Sequence, residues 1–234
     1  MKNLIAVLFI LSSSFSAYAQ FGVAIKYEKN NYREWGGLEL SENDLLFKND
    51  LTLGVNYWFR LKNRRIEFLP ELSYTLKNKE ANIDGIVPTP TFDMGLSRIG
   101  FQFNSQIYPL DLEGDCNCPT WGKDNEFLKK GLFFTLSPGV DYFVTDLTFE
   151  GETIDVDNFV SFKIGVGAGV DIGISNLLTI TPFVLVNFYP SVNGALINNV
   201  TALKCPTCEV VDRNTLNTQI SAGLRLHFRP DYKY

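Results

Sequence analysis

The stretch FVSFKIGVGAGVDIGI, Phe159 to Ile174, alternates two chemistries. Val160, Phe162, Ile164, Val166, Ala168, Val170 and Ile172 occupy one parity. Ser161, Lys163, Gly165, Gly167, Gly169 and Asp171 occupy the other. A period of two puts successive side chains on opposite faces of a β-strand. An ordinary water-soluble core has no use for a lysine, an aspartate and three glycines on one face of a strand, since unpaired buried polar groups are unfavourable. The pattern suits a wall with hydrocarbon outside and a narrow, side-chain-filled lumen inside.

The same alternation recurs along the chain and predicts eight strands. Phe21 to Glu28 places Phe21, Val23, Ile25 and Tyr27 on one face. Leu51 to Arg60 sets Leu51, Leu53, Val55, Tyr57 and Phe59 against Thr52, Gly54, Asn56, Trp58 and Arg60. Arg65 to Leu76 sets Ile66, Phe68, Pro70, Leu72 and Tyr74 against Glu67, Leu69, Glu71, Ser73 and Thr75. Ser97 to Tyr108 sets Ile99, Phe101, Phe103 and Ile107 against Arg98, Gly100, Gln102, Asn104 and Gln106.

After these come Leu132 to Phe143, the opening stretch, Leu178 to Tyr189 and Thr215 to Phe228. In Leu178 to Tyr189, Phe183 and Leu185 join Thr179, Thr181 and Asn187 and blur the pattern. Strands of about ten to twelve residues, tilted by about 45°, match a hydrocarbon layer. An even number can close with no unpaired edge in lipid. The expected fold is therefore all-β, an eight-stranded antiparallel transmembrane barrel with a side-chain-filled lumen. Pro70, Pro138 and Pro182 fall inside strands on the outward face and are candidate bulges.

Link lengths set the orientation. The links Leu61-Lys62-Asn63-Arg64 and Ser175-Asn176-Leu177 are short, whereas 29–50, 77–96, 144–158 and 190–214 are longer. Short periplasmic turns and longer outer loops are the outer-membrane pattern. One link breaks it: 109–131 is long yet falls on the periplasmic side, with Asp124 as a candidate helix cap and Gly131 as its stop.

The chain opens MKNLIAVLFILSSSFSAYAQ, with Lys2, an apolar run from Leu4 to Leu11, and Ala17-Tyr18-Ala19. This has the form of a secretory signal peptide over 1–19, leaving one barrel domain over 20–234. Aromatic content is 14%, with 19 Phe and 10 Tyr, which favours strands. The net charge of −5 argues against a nucleic-acid partner, which calls for a basic face. The sole histidine, His227, has no nucleophile motif near it, and GVGAG lacks the spacing of a phosphate loop. No enzyme activity, metal or cofactor is expected.

On the lumen face the alternation gathers Lys26, Glu67, Glu71, Arg98, Asp141, Lys163, Asp171 and Arg225. Both signs are present, as buried charges require. Glu67 or Glu71 is expected to pair with Arg98 on the next strand, and the glycines to make room for large neighbours across the lumen. The set reads as a salt-bridged plug, with an ion path or proton relay as the rival.

Four cysteines form two close pairs, Cys116 with Cys118 and Cys205 with Cys208. Three predicted crossings separate the pairs, placing them on opposite sides of an apolar band about 25 Å tall. That excludes a shared zinc site or a disulfide between pairs. Each pair is expected to close on itself in an oxidising compartment.

The leader ending Ala-Gln, the opening FGVAIKY, the paired LTLGVNYWFR and RIEFLPELSY, GLFFTLSPGVDY and the closing ISAGLRLHF resemble the PorT-like outer-membrane β-barrel family. Unlike the usual barrel ending, the chain continues from Arg229 to Tyr234. The resemblance implies an outer-membrane location and a supporting role in protein export or other envelope machinery, with no catalytic residues. The expected partners are outer-membrane lipid and an envelope protein, met through the loops and 109–131. The alternative is a narrow transport or ligand-binding barrel.

Overall fold

The computed structural model describes residues 20–31, 49–61, 64–82, 91–110, 112, 131–149, 152–155, 158–175, 178–192 and 215–228. Eight strands build the wall: β1 (Phe21–Asn31), β2 (Asn49–Tyr57, resumed at Phe59–Arg60), β3 (Ile66–Asn82) and β4 (Thr91–Ile107) form one half. The other half is β5 (Leu132–Phe149), β6 (Phe159–Val170, resumed at Ile172–Gly173), β7 (Leu178–Val192) and β8 (Thr215–Phe228). Each strand pairs antiparallel with the next, and β8 pairs with both β7 and β1, so the sheet closes. The signal-peptide segment, all four cysteines, 113–130 with its expected helix, and 229–234 lie outside the described residues.

The barrel is built inside out. Leu53, Val55, Leu72, Phe101, Phe134, Val166 and Leu224 are exposed on the outer wall, while the lumen buries Lys26, Glu67, Glu71, Arg98, Asp141, Lys163, Asp171 and Arg225. In water such an exterior would be unfavourable by about 25 cal/mol for each Å² of apolar surface. Against lipid it is the natural exterior. Near the end that carries Gln20 and Phe228, aromatic rings form a contiguous row around β1 to β4. Phe21–Tyr57, Tyr57–Phe59, Phe59–Phe68 and Phe68–Phe103 have centroids 5.7, 6.2, 5.3 and 5.7 Å apart. Aromatic girdles of this kind mark a lipid–water boundary.

The three prolines face outward without producing a bulge. Pro70 and Pro182 keep register with Phe103 and Leu224. At Pro138 the β4–β5 ladder skips from Gln102↔Gly139 to Ser105↔Leu136 with the register unchanged. Among the described residues, the one shift in register lies near Tyr189 and Val192.

Residues 77–82, 91–96 and 144–149, expected as loop, are strand instead. The β3–β4 ladder runs out to Asn82↔Thr91, β4–β5 to Phe92↔Phe149, and a short strand, Glu152–Asp155, adds to β5. The sequence there, Lys77-Asn78-Lys79-Glu80-Ala81-Asn82, has no apolar alternation. A strand that has left the lipid does not need one.

At the opposite end, β2–β3 and β6–β7 connect through short turns, with Leu61 N–H donating to Ile66 O (3.1 Å) and Ile174 N–H to Leu178 O (2.9 Å). The long 109–131 link also leaves and returns at this end. Arg65 N–H donates to Leu112 O (3.0 Å), and Asp171 N–H to Gly131 O (3.0 Å).

Candidate functional site: the charged lumen

Strand alternation aims every second side chain inward, and closure brings charges from six strands together. Glu71 on β3 accepts from Lys26 Nζ at 2.9 Å and from Arg225 Nη2 at 3.3 Å. Lys26 also lies 3.9 Å from Glu28. Glu28 pairs with Arg98, whose Nη2 also donates to Thr52 (3.2 Å) and Thr75 (3.0 Å). Arg98 Nε is 3.9 Å from Asp141, and Lys163 Nζ reaches Asp141 Oδ1 at 2.8 Å. The Tyr189 hydroxyl donates to Asp141 Oδ2 at 2.7 Å.

Toward the short-turn end, Phe183, Leu185, Tyr108 and Phe133 form a buried apolar cluster. The Tyr108 hydroxyl links this layer to Asp171 (2.6 Å) and lies 3.1 Å from Glu67. Asp171 also accepts from Thr181 (2.5 Å), and Glu67 from Trp58. Arg65 stacks over the Tyr108 ring at 4.0 Å. Phe183 and Leu185, which blurred the alternation of β7, are therefore lumen residues. Their bulk is matched by glycines on β6.

Those glycines serve adjoining strands more than the far wall. A Cβ at Gly167 would overlap Val184 O and come within 3.0 Å of Leu185 Cα on β7. At Gly169 it would meet Phe133 on β5 and Phe183 on β7, and at Gly165 Asn187 and Gln102. On β4, Gly100 leaves the space into which Asp141 leans.

All eight sequence-predicted charges are buried in the lumen. Lys26, Glu71, Arg98, Asp141, Lys163 and Arg225 share one network. Glu67 and Asp171 form a second group around Tyr108. The expected pairing of Glu67 or Glu71 with Arg98 is not formed. Register places Thr75 opposite Arg98 and Gln102 opposite Glu71, which separates Glu71 from Arg98 by four residues along the strand. Glu28 takes that place. It was absent from the sequence-derived set although its parity matches Lys26; Asp50, Arg65, Tyr108 and Tyr189 join the lumen by the same rule. His227 is buried on the lumen face, with Nε2 3.0 Å from Asn56 Oδ1.

No protein-family model matches the chain. No curated protein matches it either. Solved structures with a similar fold include Ail, the attachment invasion locus protein of Yersinia pestis, at 8% identity. That match covers 91% of this chain and 97% of Ail, with a TM-score of 0.47. Neisserial surface protein A is 10% identical over 88% of this chain and 94% of its own, with a TM-score of 0.43. OprG of Pseudomonas aeruginosa is 10% identical over 90% and 95%, with a TM-score of 0.39.

Proposed function

We propose that this protein is a non-catalytic integral outer-membrane barrel that works through its outer surfaces, as an interaction or structural subunit of an envelope machine. The observation that carries this reading is the lumen. Its width is crossed by hydrogen-bonded ion pairs, with an apolar layer of Tyr108, Phe133, Phe183 and Leu185 beside them. A barrel of eight strands filled in this way offers solutes no bore. What remains for function is the exterior. The apolar wall meets lipid, and the short-turn end faces the periplasm. The PorT-like resemblance of the strand sequences fits a supporting role in protein export.

The contact surface best supported by geometry is the extension of β3, β4 and β5 at the loop end. The β2–β3 ladder stops at Thr52↔Thr75, while β3 continues to Asn82. Among the described residues no strand pairs with the outer edge of that extension, and free strand edges recruit partners. The 109–131 link is a second contact surface, tied to the barrel at Leu112 and Gly131.

Joining Leu76 to Ser97 through an Asn-Gly turn removes the β3–β4 extension and keeps the register of that pair. The shortened protein is expected to assemble with normal heat-modifiable migration. It should lose the partner that cross-links to the full-length protein in native envelopes. Recovery of the same partner would remove the extension from the contact surface.

A further inference from the structure

Beyond the membrane the alternation of β3, β4 and β5 changes sign. Within the wall, the row of Thr75, Arg98 and Phe143 lines the lumen, and the alternate residues form the lipid face. Register carries both faces on into the extension. On the lumen side, Lys77 stands opposite Leu96, Lys79 opposite Met94 and Ala81 opposite Phe92. Met94 stands in turn opposite Leu147, and Phe92 opposite Phe149. Ile154 and Glu152, on the short strand Glu152–Asp155, stand opposite Leu147 and Phe149.

Six apolar residues, Phe92, Met94, Leu96, Leu147, Phe149 and Ile154, therefore share the lumen-side face. Lys77 and Lys79 border them along β3, and Glu152 borders them on the far strand. The other face continues the lipid wall. Its apolar run ends at Leu76 on β3 and Val144 on β5. Past that level it carries Glu80 opposite Asp93, and Asp146 opposite Asp155. The wall is apolar outside and charged inside, whereas the extension is charged outside and apolar inside.

A sheet with carboxylates on its outer face has left the hydrocarbon, and lipid lies on the opposite side from its apolar face. In water such a sheet buries its apolar face against another layer. Four strands about 4.8 Å apart make that face about 14 Å wide. An apolar centre with a charged rim is the build of a protein-docking surface.

We propose that this face docks an amphipathic polypeptide segment of an envelope protein. The segment lays an apolar stripe over the β4–β5 rows. It carries carboxylates on the side of Lys77 and Lys79, and a cation on the side of Glu152. The proposal rests on the contact role given to the extension above, and adds which face is used and what chemistry fits it.

Full-length protein with p-benzoylphenylalanine in place of Met94, or of Asp93, is irradiated in native envelopes. The two positions adjoin in sequence but belong to opposite faces. Position 94 should cross-link a protein through a peptide that has an apolar stripe and flanking carboxylates, and position 93 should not. With the label at 94, Lys77→Glu combined with Lys79→Glu should lower the yield about tenfold, because like charges are then juxtaposed at the rim. Lys77→Arg combined with Lys79→Arg should preserve it. Heat-modifiable migration checks the folding of each variant, and if the charge-reversed protein does not fold, the comparison of positions 94 and 93 decides. A cross-link from position 94 to this chain's own 32–48 or 193–214, to lipid or to nothing would overturn the proposal, as would equal yields from both faces. Such a result, with the partner still lost from the shortened protein, would leave the contact role standing and remove this face from it.

Discussion

Asp141→Ala should destabilise the barrel by about 3–5 kcal/mol, the scale expected when one partner of a buried ion pair is removed. Asp141 is fully buried; it accepts from Lys163 at 3.0 Å and from the Tyr189 hydroxyl at 2.7 Å, and lies 3.9 Å from Arg98 as a second ion-pair partner. Without it, the Lys163 ammonium stays in the lumen with no other carboxylate within bonding distance among the described residues. Urea titration of folding in detergent, followed by heat-modifiable migration, measures the loss. Adding Lys163→Met should recover much of it, because replacing a whole buried pair by apolar groups is far milder than breaking it. A single variant within about 1 kcal/mol of wild type would show that the network contributes little.

The second large effect lies on the other face of the same hairpin. Val166 is 46% exposed and sits midway along the outward row of β6, between Val160 and Ile172. Val166→Arg should weaken assembly into phosphatidylcholine bilayers by about 2–4 kcal/mol, since that depth is near the bilayer midplane. Val166→Leu should be neutral, because lipid accepts either side chain. Gly167→Ala fails for a different reason. Its new methyl meets the backbone of β7 at Val184 and Leu185, so the ladder must shift, at about 1–3 kcal/mol. Arginine tolerated at 166 as well as leucine would show that this face does not meet lipid.

The outward and inward faces of all eight strands were legible in the sequence. Lipid and a charged lumen impose opposite chemistry on alternate residues, and a slip by one residue would exchange them. Legibility stopped where that contrast stops. Lys77 to Asn82 extends β3 beyond the apolar band, and nothing in its composition separates such a strand from a loop. The eight lumen charges were legible as a set but not as pairs. Pairing depends on strand stagger and on how far long side chains reach. Arg98 thus bonds Glu28 on β1, three strands away, in preference to a carboxylate on neighbouring β3. Arg225 likewise spans from β8 to Glu71 on β3, past Ala24 and Gly54, whose lack of bulk is visible in the sequence but whose purpose is not.

The sealed lumen is tested most directly by the conductance of the purified full-length barrel in planar lipid bilayers, with insertion verified by protease protection. Ion pairs from Arg225 to Lys163 and the apolar layer beneath them predict no channel steps above the bare-membrane baseline at neutral pH. Discrete, reproducible steps from the wild-type protein would contradict the account and make the narrow transport barrel the better reading.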